Sequence, residues 1–190
     1  CRDRVYVKIE TNTDLFGWGE IKGVVPSVAA ALANEMFKLI DNQNPTRIEH
    51  IWQTLYRAER NQRGGAFMVH CIAGIDMALW DIKGNALNQT VSSLLGGYRD
   101  RMPTYASGAL MRPMNLEYLA EAGPRLVNMG FKQMKTQMGA EPTPAKEVER
   151  MKVMRESVGY DIDLMCDINQ LWDVNQAIDI GRRVEEYHLF

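Results

Sequence analysis

The segment RVYVKIET at 4–11 sets Val5, Val7 and Ile9 against polar neighbours, the period of a strand with one buried face. After an Asn-Thr-Asp turn, FGWGE at 16–20 predicts its hairpin partner. The period then changes from 2 to 3.6. PSVAAALANEMFKLI (26–40) predicts a helix with Pro26 in its first turn. TRIEHIWQTLYRAER (46–60) predicts a second, with Thr46 and Glu49 at capping-box spacing. AFMVHCIAGIDMALWDIKGNAL (66–87) predicts a third, apolar around much of its circumference and therefore central.

From residue 101 the rhythm differs. RMPTYAS (101–107) predicts a strand, and 115–129 a helix strained by Gly123-Pro124 in its middle. FKQMKTQ (131–137) predicts a strand, 143–159 a helix between Pro144 and Gly159, and DIDLMCDIN (161–169) another strand. A helix over 173–187 is opened by Asp173 and Gln176, and His188-Leu189-Phe190 is expected to begin a further strand. Strand and helix alternating in units of about 30 residues imply parallel strands with crossover helices. The pattern therefore divides into an α+β piece over 1–100 and a βα array from 101.

Composition narrows the partners. The hydrophobic fraction of 46% suffices for a core, and a net charge of −2 gives no electrostatic reason to expect nucleic acid or an anionic membrane. No run of 18 apolar residues is present to span a bilayer, and no secretory leader pattern is seen. Cys1, Cys71 and Cys166 are few, odd in number and far apart, so neither a disulfide framework nor a zinc site is expected, and a cytoplasmic setting is. The first residue is not methionine, and the chain closes on EEYHLF as a new apolar segment begins. Both ends read as cut.

In a parallel βα array, chemistry collects at the C-terminal ends of the strands. The polar residues there are Ser107, then Lys135 and Gln137, then Asp167 and Asn169. Each of the last two pairs is spaced by two and so shares a face. Lys135 and Asp167 lie one βα unit apart, so neighbouring strands would bring them together. A half-buried lysine needs a partner or a task. The plainer alternatives are a solvated strand end for Lys135 and Gln137, and a loop or helix cap for Asp167 and Asn169. His50, His70 and His188 have no metal-ligand spacing, and Trp52, Trp80 and Trp172 read as packing residues. GWGE reads as a tight turn whose glycines would also let a loop approach a ligand.

Taken in order, these stretches resemble the mandelate racemase branch of the enolase superfamily, over essentially the whole chain. GWGE looks like the capping-domain hairpin, 72–97 like the helix joining cap to barrel, and MPTYASG, FKQMKTQMG and DLMCDINQLW like the first three barrel strands. The resemblance implies an α+β capping domain over 1–100, its first strand missing, and the first three βα units of a TIM-like (β/α) barrel over 101–190, truncated before the fourth strand. It implies abstraction of a proton α to a carboxylate, with Mg²⁺ stabilising the enolate. Asp167 matches the first of three carboxylate metal ligands. Asn169 matches a substrate-contacting position near the metal, and Lys135 the first lysine of a Lys-x-Lys motif. Gln137 stands where the second lysine, the usual base, is found, and an amide has no basic pKa near neutrality. That leaves Lys135 an electrostatic catalytic role and Gln137 a substrate-binding one, and it favours one-way dehydration of a sugar acid over racemisation. Cys71, Asn85 and Thr90 also depart from the family pattern, in the joining helix and just beyond it, with effects expected on packing. The second metal carboxylate is expected just beyond Phe190.

The expected partners are thus a small carboxylate substrate, Mg²⁺ in the complete enzyme with weak or no binding by this chain alone, and other copies of the chain. Two competing readings stay open: a lysine Schiff-base aldolase built on Lys135, and a non-catalytic, self-associating remnant.

Overall fold

In a computed structural model that describes residues 4–58, 61 and 64–190, the alternating segment forms β1 (Val5–Glu10) and pairs antiparallel with β2 (Phe16–Ile21). Cys1 and the last two residues of the expected second helix lie outside the described residues. Backbone contacts divide the chain into two compact units, Cys1–Asp100 and Arg101–Phe190.

In the first unit, α1 (Pro26–Phe37), α2 (Ile48–Ala58), α3 (Ala66–Leu87) and the short α4 (Val91–Leu94) follow the hairpin. α3 is the core element: Cys71, Ile72, Ile75, Ala78, Leu79 and Ile82 are all buried along it. The hairpin sits on α3 through glycine. A Cβ on Gly17 would fall 2.1 Å from the Ala78 carbonyl oxygen, and one on Gly19 would fall 1.9 Å from that of Gly74. The glycines of GWGE therefore serve strand-on-helix contact inside β2; they do not form a ligand-facing turn, a correction to the sequence reading. Asp81 on α3 accepts the Trp18 N–H at 2.9 Å and fixes the same seat. α1 stops at Phe37, short of the expected Ile40, because tight bonds such as Ile40 N–H to the Phe37 carbonyl (3.0 Å) replace the helical ladder. Thr46 does not act as the acceptor of a capping box. Its hydroxyl and N–H both donate to Asn44 Oδ1, at 2.8 and 2.9 Å.

In the second unit, β3 (Gln133–Gln137) and β4 (Asp163–Asp167) are parallel, with Gln137 opposite Asp167. They alternate with α5 (Leu116–Asn128), α6 (Pro144–Val158) and α7 (Val174–Val184), the last running into a 3-10 turn at Glu185–Tyr187. Thr143 caps α6 ahead of Pro144, Gly159 ends it at φ 77°, and Asp173 and Gln176 close a reciprocal capping box on α7. Pro124 is accommodated inside α5, and Gly123 beside it lets α6 approach: a Cβ there would meet Val158 at 2.7 Å. RMPTYAS is not a strand. Only Ala106 bridges to β3, donating to Gln133 and accepting from Lys135 at 2.8 Å, while Pro103 has no N–H to offer a ladder. At the other edge, Phe190 N–H donates to the Leu164 carbonyl at 3.0 Å. β3 buries Met134 and Thr136, and Met138 is buried just beyond it, leaving Lys135 and Gln137 half-buried. Among the described residues no helix is long and apolar enough to cross a membrane.

Candidate active site

Parallel register sets the site. With Gln137 level with Asp167, the two strand ends project Lys135 and Asp167 from one side of the sheet. Lys135 Nζ donates to Asp167 Oδ2 at 3.0 Å, with 22% and 28% of the two side chains exposed. The contact pulls both titrations outward. The hydrogen bond to Asp167 raises the Lys135 pKa above its ordinary value. The same bond, then the Asn169 N–H, hold the Asp167 carboxyl below its own. That N–H meets Asp167 Oδ1 at 3.0 Å as the chain leaves β4 through two left-handed residues, Asn169 (φ 46°) and Gln170 (φ 63°). Such non-glycine conformations cost about 1–3 kcal/mol each and gather at functional sites.

Arg112 connects the remaining candidates. Its Nη2 donates to Asn169 Oδ1 at 3.0 Å, its Nε to the Met138 carbonyl at 2.7 Å, and its backbone N–H reaches Gln137 Oε1 at 3.4 Å. The four residues Lys135, Gln137, Asp167 and Asn169 therefore converge. Ser107 is half-buried, and no hydrogen bond joins its side chain to them among the described residues.

Sequence reasoning missed Arg112, and also Tyr105, whose ring centroid lies 5.6 Å from Lys135 Nζ. It missed two supports on α6 as well. Arg150 is 1% exposed and donates to the carbonyls of Met111, Met114 and Gln137 and to Glu141. Glu147 Oε1 accepts the Gly139 and Glu141 N–H groups at 2.7 and 3.0 Å; its Oε2 is buried with no partner among the described residues. A charged helix such as α6 reads as solvated in sequence. Only the loop carbonyls above it reveal that one face is sunk.

The Asp167 carboxylate at 3.0 Å favours the ammonium form of Lys135. A Schiff-base lysine needs the opposite shift. Mg²⁺ requires hard oxygen donors in an octahedron. Asp167 has the right chemistry for one such donor, but no three His, Cys, Asp or Glu side chains converge among the described residues, so these residues alone do not fit the ion as a cage.

Residues 2–96 match the mandelate racemase / muconate lactonizing enzyme N-terminal domain, and residues 117–190 match the enolase C-terminal domain-like family. D-galactonate dehydratase from Xanthomonas campestris pv. campestris (strain B100) is 40% identical over 174 residues, covering 87% of this chain and 44% of the relative. The crystal structure of 3,6-anhydro-D-galactonate cycloisomerase from Zobellia galactanivorans superposes with a TM-score of 0.90 at 29% identity, over 99% of this chain and 52% of that one. A racemase from Streptomyces coelicolor A3(2), solved with bound magnesium, gives 0.87 at 28% identity, over 98% and 56%. The chain thus spans about half the length of the proteins it matches. Its first unit is the capping domain of that architecture, and its second is the start of the barrel domain.

Proposed function

The chain belongs to the mandelate racemase / muconate lactonizing enzyme family of the enolase superfamily, and from that premise we propose that it supplies the cap and the opening barrel strands of a sugar-acid dehydratase. The observation that carries the reading is the Lys135–Asp167 contact beside a glutamine. Proton loss α to a carboxylate builds a dianion, and fixed positive charge aimed at it lowers the barrier. Lys135, held protonated by Asp167, supplies that charge. Gln137 cannot accept the proton, so abstraction falls to one base beyond these strands. A single base suits elimination of water better than inversion, which needs a base on each face. The similarity to enzymes named D-galactonate dehydratase supports the same substrate class. Magnesium, when bound, would neutralise charge on the substrate carboxylate, and Asp167 would be one of its oxygen ligands. The Schiff-base alternative gives the capping domain no role and sets its lysine against a carboxylate that favours the ammonium.

The test is turnover of D-galactonate and α-deuterium exchange in heavy water by the intact enzyme and two variants. Lys135→Met should cut turnover by about 10²–10³, the usual cost of one preorganised electrostatic donor. Gln137→Lys should retain turnover and add α-proton exchange. Full activity in Lys135→Met would reduce Lys135 to an ordinary strand-end lysine. Exchange on both faces in the parent would end the one-base reading.

A further inference from the structure

We propose that Arg112 presets the side-chain amides of Gln137 and Asn169 as hydrogen-bond donors, so that this part of the site accepts only substrate groups that offer lone pairs. A carboxamide can present either its oxygen or its NH₂ to a neighbour, and the neighbour decides which. Guanidinium and backbone N–H groups only donate. Arg112 Nη2 lies 3.0 Å from the Asn169 amide, which must therefore answer with Oδ1, turning Nδ2–H₂ away from Arg112. The Arg112 backbone N–H favours the same choice at Gln137 through a longer, weaker contact to Oε1 at 3.4 Å. Asn169 cannot turn over without setting NH₂ against guanidinium.

The arginine is itself immobilised. Its Nε is held by the Met138 carbonyl at 2.7 Å, and the backbone on either side of it is held by Arg150, which takes the Met111 and Met114 carbonyls at 2.8 Å each. The two arginines take successive carbonyls of one strand end, Arg150 that of Gln137 and Arg112 that of Met138. Lys135 adds an ammonium that can only donate, and its partner Asp167 is engaged on both oxygens. What remains to meet a ligand from Lys135, Gln137 and Asn169 is an array of donors. A carboxylate, an enolate oxygen or the lone pairs of a hydroxyl satisfies it; an ammonium does not. Arg112 is in this account a positioning residue that sets specificity through the two amides. The substrate side of the inference rests on the sugar-acid reading above; the amide orientation does not.

Two measurements separate them. In the full chain, NMR should detect a scalar coupling across the hydrogen bond from Arg112 Nη2 to the Asn169 side-chain carbonyl carbon, and Arg112→Gln should abolish it. Its absence in the parent overturns the preset orientation, whatever the enzyme's substrate. In the intact enzyme, Asn169→Asp keeps the partner of Arg112 but replaces the donor with an acceptor. The KM for D-galactonate should then rise about 10- to 100-fold, the value of one charge-assisted hydrogen bond, with a smaller change in kcat and no fall in Tm. Arg112→Lys should fall between parent and Arg112→Gln in KM. An unchanged KM in Asn169→Asp, or a loss that follows Tm, overturns the donor array. If the parent turns over no sugar acid, the proposed function fails, and the coupling still decides the amide orientation.

Discussion

The two units bury different things. In the first, the buried side chains among the described residues are apolar, from Ile9 and Ile21 on the hairpin to Ile72, Ile75, Leu79 and Ile82 on α3. In the second, Thr136, Glu147, Arg150 and Arg155 are buried along with the apolar core. Apolar burial is non-directional and tolerates repacking. Buried guanidinium is directional, and removing it leaves acceptors without partners. The first unit is therefore held by volume and by close backbone approach at glycines. The second is held by buried arginines that collect loop carbonyls, and one of them, Arg150, also holds the backbone beside the site. The unit that holds strand-end side chains in fixed geometry has buried charged groups under its loops, whereas in the hairpin-and-helix unit directional bonds such as Trp18 N–H to Asp81 come from side chains that are not buried among the described residues.

The sharpest way to break this comparison is at Arg155. It donates to the carbonyls of Gly159, Ile162, Tyr187 and His188, all within 2.9 Å, and burial lowers its pKa without removing its charge at neutral pH. Arg155→Met should cost about 3–5 kcal/mol in urea unfolding, read by probes in residues 101–190. A loss under 1 kcal/mol would show that water replaces the guanidinium freely. Next comes Gly19→Ala, which should cost about 1–3 kcal/mol by overpacking against the Gly74 carbonyl, with the loss confined to probes in the first unit. A neutral result there would mean that the hairpin shifts on α3 without penalty.

The smallest effect is the pH dependence of the Lys135–Asp167 pair. The lowered Asp167 pKa gives stability that is present above its unfolded value of about 3.9 and is lost as pH falls through the folded value. The raised Lys135 pKa gives stability that is present below about 10.4 and is lost as pH rises through the folded value. Because solvent reaches it, the pair should contribute about 1 kcal/mol or less, in full between roughly pH 4 and 10 and fading beyond either end. Unfolding titrations of the parent and Lys135→Met should differ inside that window and converge outside it. A constant difference at all pH values would assign the effect to packing.

Where the signal is local, the sequence was readable. The hairpin alternation, the span of α3, and the Asp173–Gln176 box each depend on residues a few positions apart. The placement of Lys135 beside Asp167 was also legible, because one βα unit brings equivalent strand ends together. Distant partners were not. The use of Gly17 and Gly19 is set by carbonyls of α3, and that of Arg112 by Met138 and Asn169, 57 residues away. Thr46 was misread because a nearer competitor, Asn44, takes its hydroxyl. RMPTYAS has strand-like residues, yet a ladder needs successive groups in register, and only Ala106 finds them.

The glycine seat of the hairpin also bears on folding kinetics. Hairpins close in about 1–10 μs, whereas the Trp18–Asp81 bond must join groups 63 residues apart. The hairpin is thus expected to form before its platform arrives. A two-residue slip along α3 that keeps this face inward would then drive the Ile21 side chain into the space that Gly19 leaves for the Gly74 carbonyl. That encounter has no room to settle, so the glycine spacing is expected to bias docking toward the native register.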